Sequence, residues 1–177
     1  MPRHDLVPDC GSCAAVCCVA PSFEASEDFA FDKPAGVRCR NLRADCRCAI
    51  HDELPVRGFV GCSVYGCHGA GQRVTRAYGT QDAEHERNDA FMILRVVHEL
   101  LWLLTQAIEL CPDTHPELAA EIASQVEVLD AIAPRPAAGL RALALHQHEA
   151  ASRALLRRVG DALGGRRRPG RPLPVLQ

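Results

Sequence analysis

Apolar residues recur at helical spacing only in the second half of the chain. From about Asn88 to Leu110, the polar residues Asn88, Arg95, Glu99 and Gln106 follow at intervals of 7, 4 and 7, which puts them on one narrow stripe. Most other positions there are apolar, among them Phe91, Ile93, Leu94, Val97, Leu100, Leu101, Trp102, Leu104 and Ile108. The pattern predicts a central, mostly buried helix that stops before Pro112. Arg95, His98 and Glu99 interrupt it, which argues against a membrane span because charges at mid-bilayer cost several kcal/mol.

A second helix is expected from Thr114, where Thr114 and Glu117 have capping-box spacing and Pro116 falls in the first turn. Leu118, Ile122, Val126 and Leu129 form its apolar face, and it should end before Pro134. After a turn at Pro134-Arg-Pro-Ala-Ala-Gly139, a third helix is expected from about Leu140 to Leu163, presenting Leu140, Leu143, Leu155 and Val159. Three amphipathic helices with short connections predict a small antiparallel bundle.

The first half lacks this periodicity. Residues 1–80 are rich in Cys, Gly and Pro, so they should form short elements and loops held by something other than a large core. The expected division is a Cys-rich metal-binding region over 1–80, a helical bundle over 83–163 and a disordered basic tail over 164–177. The expected fold class is mainly α, with an irregular, metal-stapled N-terminal region packed on a three-helix C-terminal bundle. No internal repeat of fixed period is present.

Charge changes this picture little. A net charge of −2 gives no global reason for a nucleic-acid or membrane partner. The tail Arg166-Arg-Arg-Pro-Gly-Arg-Pro172 approximates the Arg-Gly-Arg-Pro core of minor-groove-binding hooks, with Pro169 in place of an arginine. It reads better as a solvated charge run, so no nucleic-acid partner is expected. A protein partner or a second copy could pair with the apolar helix around Trp102.

Cysteine usage changes the picture most. Of ten cysteines, nine fall between Cys10 and Cys67, and only Cys111 lies outside. Such density means either a disulfide scaffold or a metal site. The polar N-terminus, Met1-Pro-Arg-His-Asp-Leu-Val-Pro-Asp9, has no apolar stretch of signal-peptide length, so a reducing cytoplasm and a metal are expected. Cys10-Gly-Ser-Cys13 puts two thiolates on one tight turn, close enough to hold one ion. Cys17-Cys18, Cys39, Cys46-Arg-Cys48 and Cys62-Ser-Val-Tyr-Gly-Cys67-His68 follow. Four ligands complete one tetrahedral zinc, so the inventory serves one site with spares or two full sites.

Cys46 and Cys111 read better as cysteines acting as small hydrophobes, since Cys46 doubles Cys48 and Cys111 ends an apolar helix. His51 and His68 read as polar helix or loop residues. The stretch Gly66-x-x-Gly69-x-Gly71 lacks the setting of a phosphate loop and reads as a turn that lets Cys67 reach a metal. Asp5, Asp9, Glu24, Glu27 and Asp28 show no spacing for acid–base work. Neither Gly-x-Ser-x-Gly nor His-Glu-x-x-His occurs, so no catalytic residue is assigned.

The pattern Cys10-x2-Cys13-x3-Cys17-Cys18, a cysteine after a gap, Cys48-Ala-Ile-His51 with a following arginine, and Gly61-Cys62 resembles the cysteine-cluster family described as zinc- or iron-chelating. Phe29-Ala-Phe-Asp-Lys-Pro-Ala-Gly36, Cys39-Arg-Asn-Leu-Arg-Ala-Asp45 and Arg57-Gly-Phe-Val-Gly-Cys-Ser-Val-Tyr-Gly-Cys-His-Gly-Ala-Gly-Gln72 look like the N-terminal module of bacterial pentapeptide-repeat proteins. The likeness covers about residues 9–80, with a weaker echo at His98-Glu-Leu-Leu-Trp102, and no pentapeptide repeats follow. It implies Cys10, Cys13, Cys17, Cys18, Cys39, Cys48, Cys62 and Cys67 as metal ligands. All-thiolate coordination suits zinc, or alternatively iron or an iron–sulfur cluster. The spacing does not match the bacterial ferredoxin run. The expected function is therefore a non-enzymatic metal-binding protein of structural or regulatory role. An iron–sulfur or thiol redox protein is the alternative, motivated by the spare cysteines and the Cys17-Cys18 pair.

Overall fold

The computed structural model describes residues 6–79, 84–132, 137–141 and 143–164. The fold is mainly helical, and the described residues contain no β-strand beyond two isolated bridges. Six α-helices follow in order: α1 (Val60–Val64), α2 (Ala70–Tyr78), α3 (Glu84–Leu110), α4 (Pro116–Asp130), α5 (Ala137–Arg141) and α6 (Leu145–Ala162). Single 3-10 turns at Cys10–Ser12, Val16–Cys18 and His51–Glu53 punctuate the loops before them.

Helix α3 is the axis of the molecule. α4 and α6 pack on it and on each other, while α2 and α5 lie against its remaining sides. Phe91, Leu94, Val97, Leu101 and Leu104 are fully buried. At 27 residues α3 is long and apolar enough to cross a membrane by length and composition, and 44% of its most apolar stretch is buried inside the molecule. The expected polar stripe departs from solvent at one end: Asn88 is buried, while Glu99 is exposed. Trp102, expected on the buried face, is 40% exposed.

Two helix boundaries differ from the sequence expectation. α4 starts at Pro116, and its N-cap is His115, with no side-chain capping bond. The Thr114 hydroxyl instead lies 2.9 Å from His115 Nδ1, so the capping box does not form. The expected third helix is broken into α5 and α6, with Leu143 and Ala144 out of helical conformation between them. Leu140 and Leu155 lie in the same core although they belong to different helices, so burial of both outweighs the continuity that propensity favours. The turn expected at 134–139 falls outside the described residues up to 136, and the basic tail does so beyond Gly164.

The N-terminal half reaches into this core. Leu6, Ala14, Val16 and Ala20 share one hydrophobic cluster with Phe91, Leu94 and Leu101. Farther out, Phe23, Phe29, Phe31 and Phe59 form a small aromatic cluster, with Phe23 stacked on Phe29 at 4.5 Å and Phe31 edge-on to Phe59 at 4.9 Å. Such pairs contribute about 0.5–1.5 kcal/mol each beyond area burial. Phe23 and Lys33 exchange both backbone hydrogen bonds, which closes the 23–33 loop. Inside it, the Lys33 ammonium is buried and donates to the carbonyls of Val19 (2.9 Å), Pro34 (3.1 Å) and Val37 (2.9 Å). Three donors meeting three acceptors satisfy the ammonium fully.

Candidate metal centre

The first cysteine turn is built by Asp9. Its carboxylate accepts from Gly11 N at 2.9 Å and from the Ser12 hydroxyl at 2.6 Å, and the Ser12 bond holds its pKa below the usual carboxylate range. This Asx-type turn sets the Cys10–Cys13 knuckle. Helix α2 then holds the knuckle from the side. Gln72 accepts from Asp9 N and donates to Val7 O, both at 2.8 Å. Ala14 N donates to Thr75 Oγ1 at 3.0 Å, and the Thr75 hydroxyl lies 3.9 Å from Cys13 Sγ.

Cys67 arrives from the other side, one turn ahead of α2, with Ala70 N donating to its carbonyl at 2.9 Å. Gly71 leaves the space in which the two sulfurs approach. A Cβ added there would lie 2.8 Å from Cys13 Sγ and 3.8 Å from Cys67 Sγ. Cys13, Cys17 and Cys67 all pack against the hydrophobic core. Burial raises the Cys10 thiol, and Cys13 and Cys67 add to the effect. The Cys17 thiol is raised by its hydrogen bond to Cys18 and by burial, and then by Cys18, Cys13 and Cys67.

The other four cysteines of the expected set gather on the loop side. Cys39 N donates to Cys18 O at 2.9 Å, and Leu42 N donates back to Cys39 O at 2.9 Å. Leu42 in turn bridges to Cys48, and Ala49 N donates to Asn41 O at 2.7 Å. Cys62 sits in α1, tied to the aromatic cluster through Phe59, whose carbonyl accepts from Cys62 N at 3.1 Å. Burial pushes the Cys62 thiol up to about 11, and Cys18, Cys39 and Cys48 contribute in the same direction. Cys39 is likewise raised by burial, with Cys18 and Cys48 adding to it. Cys18 moves the opposite way. The hydrogen bond from Cys17 lowers it first, and Lys33 and Arg38 lower it further against its burial.

Thiols are soft donors of the kind that zinc or an iron–sulfur cluster takes, whereas hard cations take oxygen ligands. Among the described residues, no three His, Cys, Asp or Glu side chains converge tightly enough to grip one ion as they stand. Zinc–sulfur bonds are about 2.3 Å long, so ligation requires the thiols to rotate about their Cα–Cβ bonds. Cys46 has a left-handed backbone, φ 60°, and Cys111 packs on the core with its thiol 3.8 Å from His115 O. His51 is exposed beside Asp52.

His68 has a part the sequence does not announce. Its ring stacks on Trp102 at 4.9 Å, and its carbonyl lies 2.6 Å from His98 Nδ1. A carbonyl only accepts, so Nδ1 carries the proton, and His98 Nε2 accepts from Arg73 at 3.2 Å. Arg73 also donates to Asp130 O at 3.3 Å, so α2, α3 and α4 converge on the residue that follows Cys67. The echo at His98-Glu-Leu-Leu-Trp102 is thus the strip of α3 that seats the Cys67–His68 turn. Asp9, Gln72 and Thr75 are the other supports that sequence reasoning missed. Only Asp9, one residue ahead of a Cys-Gly-Ser turn, carried a local signal for its role.

Two substitutions probe this scaffold. Gly71→Ala should gain up to about 1 kcal/mol in helix propensity yet lose about 1–3 kcal/mol to the contact with Cys13 Sγ. A net fall in the urea midpoint is expected, and a rise would mean that the Cys13 side chain gives way freely. His98→Leu comes close to the histidine volume and removes the donor to the His68 carbonyl. An unmet buried carbonyl costs about 1–3 kcal/mol, and Cys67 should react faster with a thiol reagent. Unchanged Cys67 reactivity would show that His98 does not seat that turn.

A curated relative matches the chain: uncharacterized protein YybG of Bacillus subtilis (strain 168), 42% identical over 127 residues. The match covers 66% of this chain and 45% of the relative, so the chain spans less than half of that protein's length. No family model and no solved structure matches.

Proposed function

We propose that this is a non-enzymatic metal-binding protein in which thiolate-bound zinc organises the N-terminal half and joins it to the helical bundle. The observation that carries the reading is the seating of Cys13 and Cys67 on either side of Gly71, with Thr75 and Gln72 of α2 fixing the turn from which Cys13 projects. A glycine inside a helix costs about 1 kcal/mol relative to alanine, and here it makes room for two sulfurs. The ligands are Cys10, Cys13, Cys17, Cys18, Cys39, Cys48, Cys62 and Cys67. The reading places the chain in a reducing compartment, the cytoplasm, where thiolates persist to hold a metal.

The role is structural or regulatory. The loops between Cys18 and Cys62 have little core of their own beyond four phenylalanines, Val19, Ala20, Leu54 and the Lys33 clamp. Binding of structural zinc contributes its free energy directly to folding in such regions. Anaerobic purification followed by metal analysis and an absorption spectrum tests the proposal. A colourless, zinc-containing protein whose helical signal and thermal midpoint fall when a chelator strips the metal is the expected result. A reduced, metal-free sample that keeps its fold and takes up no metal would end it. Iron with matching sulfide and a brown colour would move the protein to the redox class.

A further inference from the structure

We infer that the eight cysteines make two separate four-thiolate sites, Cys10/Cys13/Cys17/Cys67 and Cys18/Cys39/Cys48/Cys62, which meet at the Cys17–Cys18 peptide bond. This deepens the metal-binding reading and rests on it. The division follows from what anchors each set. Cys10 and Cys13 are tied to α2 through Gln72 and Thr75, and Cys67 leads into the same helix. Cys17 is their neighbour on the core side: Cys13, Cys17 and Cys67 all lie against the buried cluster that α3 supplies.

Among the described residues, no backbone hydrogen bond ties the second set to α2. Cys18 and Cys39 are joined directly through the backbone, and Cys39 and Cys48 through the Leu42 bridge and the Asn41–Ala49 bond. Cys62 comes in from α1, which the aromatic cluster places through Phe59 and through Phe29 against Gly61. The electrostatic neighbourhoods follow the same division, with Cys18 at the junction. Cys62 is influenced by Cys18, Cys39 and Cys48, whereas Cys10 and Cys17 are influenced by Cys13 and Cys67, and both also by Cys18.

The junction explains why two cysteines stand side by side. Val16–Cys18 is a 3-10 turn, and with three residues per turn successive side chains splay by about 120°. One backbone turn can therefore serve two ions when each sulfur rotates toward its own set. Two tetrathiolate zinc ions would together leave a charge of about −4, from eight thiolates and two divalent cations. Lys33 and Arg38 near Cys18, and Arg47 near Cys10, are placed to offset part of it. The sites also differ in support, one backed by the core and the other by loops, so the loop-side site should exchange its metal faster.

Cobalt(II) titration of the full reduced chain tests the division, because tetrahedral cobalt thiolates absorb in the visible and report each ion bound. Wild type should saturate at two equivalents. Cys13→Ser and Cys67→Ser should each retain the one ion of the loop-side set, Cys39→Ser and Cys48→Ser should each retain the core-side ion, and Cys13→Ser with Cys48→Ser together should retain none. Saturation of wild type at one equivalent would overturn the division while leaving the metal-binding reading standing, and this readout does not depend on any variant folding. Loss of both ions from a single variant that keeps its helical signal would also overturn it. A wild-type chain that binds no cobalt and no zinc would overturn the metal-binding reading itself, and the division with it.

Discussion

Lys33→Met is expected to lower stability by about 3–5 kcal/mol, although the two side chains have similar length and the position touches no expected ligand in sequence. The ammonium is 3% exposed and meets three carbonyls at 2.9–3.1 Å. Methionine would leave all three acceptors without this donor; an unmet buried acceptor such as Val19 O costs about 1–3 kcal/mol, and the part-buried carbonyls of Pro34 and Val37 cost less because water reaches them. Relief of the ammonium's own desolvation offsets part of the loss, which keeps the net below the simple sum. Lys33→Arg should recover little, because a planar fork cannot direct its N–H groups at three carbonyls around one point. Chemical denaturation followed by circular dichroism measures the change, and a loss under about 1 kcal/mol would show that the loop closes without the clamp. The ammonium also favours the Cys18 thiolate, so the variant should slow alkylation of that thiol.

Phe91→Ala is expected to cost about 3–5 kcal/mol, the usual range for emptying a buried aromatic site. Its particular interest lies in where the cavity would open. Phe91 is fully buried on α3, and its ring edge comes within 3.9 Å of the position a Gly71 Cβ would take, directly beside the Cys13 sulfur. The ring is thus a floor under the core-side thiols as well as a part of the helical core. The variant should lose thermal stability and, on the proposed two-site division, should bind the core-side ion more weakly than the loop-side one. Equal weakening of both ions, or of neither, would separate the core of α3 from the metal set. By contrast, the Arg158–Glu121 pair between α6 and α4 is about half exposed on both sides. Such a pair contributes only about 0–1 kcal/mol.

The helical half was legible because its signal is local. Periodicity marked α3 to within a few residues at its start and to the residue at its end, and Leu118, Ile122 and Leu129 are buried on α4 as the spacing predicts. The misses there are competitions that sequence cannot judge. The capping box at Thr114 gave way to His115, and one long helix over 140–163 gave way to α5 and α6. The Trp102 ring spends its face on His68 instead of the core, which a hydropathy pattern has no means of showing.

The sequence by itself determined the helical class, the central helix and the clustering of nine cysteines in the first half, because helical period and cysteine spacing are properties of neighbouring residues. Tertiary structure alone decided which polar residues hold the cysteine-bearing turns. Gln72 reaches back to Val7 and Asp9, Thr75 reaches Ala14, and His98 reaches His68, across separations of 25 residues or more. Contacts of that kind leave no mark on local pattern: each side chain reads alone as a surface polar residue. Only the packing of α2 on α3 turns them into the frame around the thiols.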